Sequence, residues 1–193
     1  MKMTVTARGY NPVSIRRLAT FPLGPVLVAL CAAGAGGVLL KLVSALETDV
    51  FVAGAARLAG VISGVPAEAG ADGWMLAFAG QPLLVTTACS ATDFFLMVAA
   101  LLGWHGALRT ERPVLLPVAG VVALIAAVPV TLFINALRLI AVAHAHVWVI
   151  PRMPEAYGAF LHMLTGVAVF LPSLIALNLI FEIYGRSRTP SRA

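Results

Sequence analysis

Four stretches of the chain, residues 21–44, 89–108, 113–137 and 161–184, each run the length of a membrane crossing with at most one formally charged side chain before the end is reached. About 20 mostly apolar residues in helical geometry cover the hydrocarbon core of a bilayer, and in lipid every backbone N–H and C=O must be satisfied within the segment. The expected fold class is therefore an all-α polytopic membrane protein with about four transmembrane helices. With 61% hydrophobic and 11% charged residues in 193, there is too little polar surface to cover a soluble globule. A single membrane domain, residues 1–193, is expected.

The net charge of +5 does not indicate a nucleic-acid partner, because no basic stripe with interleaved aromatics occurs and the positive residues bracket the apolar runs. Lys2, Arg8, Arg16 and Arg17, then Arg109 and Arg112, then Arg186, Arg188 and Arg192 fall on one side of a four-span arrangement. These are nine of the thirteen basic residues, and that side is read as the cytoplasm. The chain is thus expected as a multi-pass protein of the cytoplasmic (inner) membrane, with a basic N-terminus at 1–20, a basic tail at 185–193 and an outward segment at 45–88. The long apolar run after the N-terminus has no clean A-x-A site and reads as an uncleaved signal anchor.

Within 45–88, residues 47–65 read as an amphipathic helix lying on the membrane, with Val50, Phe51, Leu58, Val61 and Ile62 on its apolar side. Arg57 argues against a fifth span. Residues 74–78 and 83–87 are β-prone runs around Ala79-Gly80-Gln81-Pro82, which predicts a small hairpin leading to Cys89. Residues 139–150 are apolar but too short to cross, and read as a separate surface or half-inserted helix before Pro151.

Under this topology Cys89 opens the second span, Arg138 follows the third and His162 opens the fourth, so the three converge near the outer surface. A cysteine in the first turn of a helix is favoured as thiolate by the unpaired amides. A nearby histidine can pair with it and protonate a leaving amine, and an arginine can hold a developing oxyanion. Together these side chains form an acyl-transfer set. The plainer readings are a small core residue for Cys89, as Cys31 is read, interfacial snorkelling for Arg138, and a satisfied helix-entrance residue for His162. Against the second stands the cost of an arginine after 25 uncharged residues.

Supporting positions follow from spacing. Asn135, one turn before Arg138, would brace it or bond backbone near Pro129. Gly166 shares a face with His162 and leaves room for an approaching group. Asp93, four residues after Cys89, would share its face and contact Arg or His or cap backbone. His144, His146 and His162 invite a metal reading, but i and i+2 on a helix diverge and no carboxylate accompanies them. Neither H-E-x-x-H nor G-x-S-x-G occurs. No cofactor is expected.

The patterns Ala88-Cys89-Ser90, Asn135-Ala-Leu-Arg138 and His162-Met-Leu-Thr-Gly166 stand in the order and membrane setting of the exosortase/archaeosortase family. Over roughly residues 80–175 the chain resembles a short member, similar to the exosortase K group. The resemblance implies a membrane cysteine protease or transpeptidase acting on exported proteins that end in a short motif, a transmembrane helix and a basic tail. Carried over, Cys89 would be the nucleophile, Arg138 the transition-state stabiliser and His162 the acid/base, facing the periplasm or cell exterior. One departure is Ala91, where the family commonly has glycine after Cys-Ser. The alternatives are a non-catalytic scaffold or transporter subunit, and a metal-dependent enzyme using the three histidines.

Overall fold

The computed structural model describes residues 23–78, 81–154 and 157–186. Segment 1–20 and the tail beyond Arg186, expected as cytoplasmic flanks, lie outside the described residues. Helices α1 (Leu23–Leu42), α3 (Thr92–Leu108), α4 (Leu116–Trp148) and α5 (Gly158–Arg186) account for four candidate spans by length and apolarity. The expected class, four apolar helices with a small sheet, is the one observed.

α1 packs tightly against α3 through small residues. A Cβ on Gly103 would meet Ala32 Cβ at 3.4 Å, and one on Gly36 would meet Leu96, Leu124 and Phe95 at 3.0–3.1 Å. Lipid offers no hydrophobic incentive for helices to associate, so close approach and dispersion contacts carry such an interface. Phe51, Phe94, Phe95, Val98, Ala99, Ala127 and Ile134 form the buried centre of the bundle. α5 is the least buried helix, and it rests on the others through Phe170, stacked on Phe94 at 4.3 Å.

Above the bundle sits a cap. A π-helical turn (Leu46–Val52) runs into α2 (Ala53–Ser63), which closes at Gly64 in the left-handed conformation (φ 70°) and donates Val65 N–H back to Gly60 C=O at 3.0 Å. Three antiparallel strands follow in the order β1 (Ala67–Gly70), β2 (Gly73–Phe78), β3 (Gln81–Val85). The expected hairpin is present as β2 and β3, with Trp74 opposite Val85 and Phe78 opposite Gln81, but its second strand is shifted: Gln81 and Pro82, expected in the turn, open β3, and Thr86 and Thr87, expected in the strand, lie beyond its end. β1 was not expected, since Ala-Glu-Ala-Gly has little strand propensity and is held by pairing with β2 and by Ala67 packed on the cap core. Alternate residues Leu76 and Phe78 of β2 and Val85 of β3 turn inward against Ala55, Ala56 and Ala59 of α2 and Ala136, Leu139 and Ala143 of α4.

One expectation is corrected here. Val61 and Ile62, expected on the membrane-facing side of the helical residues from 47 onward, are 80% and 45% exposed, whereas Phe51 of the same set is buried in the bundle. The buried face is the alanine face, because only small side chains let α2 approach α4 closely enough to close the second core. Arg57 lies over the Trp74 ring at 4.6 Å and ties α2 to the sheet. Residues 139–148 are not a separate surface helix: α4 continues unbroken through Arg138 for 33 residues, about 50 Å at helical rise. Nothing in 139–148 breaks a helix, and burial of Leu139, Val142 and Ala143 against the cap stabilises the extension.

Candidate active site

Cys89 lies at the seam between cap and bundle, and three devices fix the turn that carries it. Thr87–Cys89 is a 3-10 turn in which Cys89 N–H bonds Thr86 C=O at 2.8 Å and Ser90 N–H bonds Thr87 C=O at 3.0 Å. From α4, the Asn135 amide donates to the Cys89 carbonyl at 2.8 Å. From the π-helical turn, the Glu47 carboxylate accepts the Ser90 hydroxyl at 2.9 Å. Asn135 is only 1% exposed, so its bond is made away from competing solvent and losing it would strand a polar group.

The third device is backbone strain. Ala91 sits at φ 57°, ψ 29°, in the left-handed region, and it is the one described non-glycine residue with positive φ. Cβ sterics make that conformation costly for any residue but glycine. The position where the resembled family has glycine is thus one whose backbone favours glycine. The Ala91→Gly variant is expected to be more stable than wild type by about 1 kcal/mol, read as a higher midpoint of thermal unfolding in detergent micelles. A lower midpoint would show that the strain assigned to Ala91 is absent.

This turn also corrects two expectations. Cys89 precedes α3, whose first residue is Thr92, rather than standing in its first helical turn. The i, i+4 relation to Asp93 therefore does not hold. Asp93 is exposed in the first turn of α3, where a carboxylate complements the helix N-terminus, and it does not join the site.

α4 presents Thr131, Asn135 and Arg138 as a buried polar stripe at helical spacing. Asn135 neither braces Arg138 nor reaches back to Pro129; its partner is the cysteine carbonyl. Arg138 is 8% exposed, its guanidinium 5.3 Å above the Phe170 ring and its Nη2 3.4 Å from His162 Nε2. The space above Gly166 is filled by this guanidinium: a Cβ there would stand 3.1 Å from Arg138 Nε. Glycine at 166 is what admits the arginine between α4 and α5.

Cys89 lies within electrostatic reach of Arg138. Neither Arg138 nor His162 hydrogen-bonds the sulfur directly, and Arg138 Nε is unpartnered among the described residues. Arg138 is thus the group that both of the others reach, and no direct Cys–His pair forms. His146 meets His162 edge-on at 6.4 Å between centroids, whereas His144 turns away to Phe78 at 6.1 Å. No group of three potential metal ligands forms among the described residues. Cys31 and Cys89 are both free thiols.

Sequence reasoning did not single out Glu47 or Thr131 for the site. Glu47 is 43 residues from its partner Ser90 and carried no local signal beyond its place at the start of a helix. Thr131 could have been found, since it stands four residues before Asn135 on the face that leads to Arg138. Comparisons of the chain with family profiles, with characterised proteins and with solved structures yield no match.

Proposed function

We propose that the chain is a membrane-embedded cysteine protease or transpeptidase that removes the C-terminal sorting signal of exported proteins through a thioester. The observation carrying this reading is the buried guanidinium of Arg138, 3.4 Å from His162, within electrostatic reach of Cys89 and joined by no carboxylate among the described residues. A cation taken out of water needs an anion beside it or a reaction that makes one. A thiolate at Cys89 supplies the first, and the oxyanion of an acyl-transfer intermediate the second.

In this mechanism Cys89 acts as a thiolate accompanied by Arg138, with its proton held on His162, and the sulfur attacks a substrate peptide carbonyl. Arg138 holds the developing oxyanion. As the C–N bond breaks, His162 returns the proton to the departing amine, and the acyl group stays on sulfur as a thioester. An incoming amine, hydroxyl or water then gives its proton to His162 and takes the acyl group, restoring the thiol. The substrate's membrane helix, packed in the same bilayer, limits the search for the scissile bond to a narrow layer. The one-sided distribution of positive charge supports placing this layer on the outer face of the cytoplasmic membrane.

The test is co-expression with an exported reporter ending in a short motif, an apolar helix and a basic tail. The expected result is a shortened reporter and a hydroxylamine-labile acyl adduct on Cys89, both found by intact-mass analysis. Shortening in which the acyl adduct maps to another residue would overturn the assignment of the nucleophile.

A further inference from the structure

The sheet ends at β3, whose far edge has no strand partner among the described residues. The hydrogen-bonding phase of that edge follows from Pro82. Opposite Ala77, it has no N–H to give β2, and a ladder accepts proline where that group points away from the partner. By the two-residue period, Leu84, opposite Met75, likewise turns its N–H and C=O outward, and no other backbone group among the described residues takes them up.

This edge opens onto a cleft of about 250 Å³ between the hairpin and the distal end of α4, with Leu84 on one wall, His146 and Val147 on the other, and His162 at its base. The cleft reaches His162, and the strand along it runs on toward the Cys89 turn. β3 faces His146 and Val147 at one end, and the chain four residues beyond it meets Asn135, eleven residues earlier on α4 and about 16 Å away along the helix. β3 therefore descends along α4 toward Cys89.

A row of outward main-chain donors and acceptors at strand spacing is matched by another extended main chain. Acyl chains offer no such groups, so the chemistry of this edge fits an extended peptide rather than a lipid. We propose that the edge of β3 binds an extended segment of the substrate as a fourth strand, which carries the scissile carbonyl down to Cys89. The orientation rests on the function proposed above: a segment that continues into its own C-terminal membrane helix descends in the same direction as β3 and pairs with it in parallel. Selectivity then falls on alternate substrate side chains, those turned toward His146 and His162.

The test uses the full-length Cys89→Ala chain in detergent micelles, so that binding is read without turnover. The probe is a short peptide of alternating alanine and valine bearing one benzoylphenylalanine. Two further forms are methylated on alternate backbone nitrogens, one in each register. Strand addition predicts photocrosslinks mapping to residues 81–85 and 143–147, reduced about tenfold by one methylation register and retained with the other. Equal crosslinking by both methylated forms, or crosslinks mapping elsewhere, would overturn the proposal. Failure of the acyl-transfer reading is separate: a wild-type chain that gives the register-dependent crosslinks but leaves the reporter's tail intact.

Discussion

The Cys89→Ala chain is expected to shorten a sorting-tailed reporter at least about a thousandfold more slowly than wild type, with no acyl adduct on the enzyme. Alanine has no nucleophile, and Arg138 and His162 would then act only on whatever water reaches the carbonyl. Loss of one small buried side chain should cost little stability, so the variant should insert in the membrane and unfold near the wild-type midpoint. Cys31→Ala provides the control. Cys31 is exposed on α1, away from the site, and its replacement should leave turnover unchanged. Reporter cleavage by Cys89→Ala at the wild-type rate would remove the proposed mechanism.

The second large effect is expected at Arg138. Arg138→Met should lower the shortening rate about 10²–10³-fold, the range for removing one oxyanion donor. Its thermal midpoint should stay level or rise, because an apolar side chain of similar volume avoids the desolvation of a buried cation that no carboxylate accompanies. If Arg138 were instead a packing residue of a non-catalytic subunit, the variant would lose stability without any effect confined to turnover. Arg138→Lys keeps the charge but not the planar fork, and should recover only part of the lost rate. Measuring rate and midpoint on the same preparations decides between these roles.

Much of the architecture was legible because lipid imposes simple rules. The spans follow from apolar length, and the hairpin from β-prone runs around Gly-Gln-Pro. Legibility failed where partners lie far apart in sequence. Burial of the alanine face of α2 depends on how closely it nests against α4 and the sheet. The run after Arg138 is too short to span alone, and its length concealed that it prolongs a helix already formed.

The site shows the same division. The residue types and order of Cys89, Arg138 and His162 can be read from the sequence, and Arg138 lies 3.4 Å from His162 and within electrostatic reach of Cys89. How they are held cannot. The Asn135 bond spans 46 residues and the Ser90–Glu47 bond 43, and no local pattern encodes either. Ala91 was noticed as a departure from glycine, and its left-handed backbone gives that departure a physical cost. Asp93 was misplaced by a helical spacing applied one turn too early.

The unbroken 33-residue length of α4 also acts as a ruler. Beyond Pro129 the helix runs from Asn135 to His146 without proline or glycine and neither shortens when the bilayer thins nor stretches when it thickens, so Asn135 and Arg138 stay at a fixed height relative to the cleft at His146. A substrate bound at both its membrane helix and its extended segment would then be measured in ångströms. Inserting or deleting a residue between the two would move its cleavage point by that residue's length, whatever its side chain.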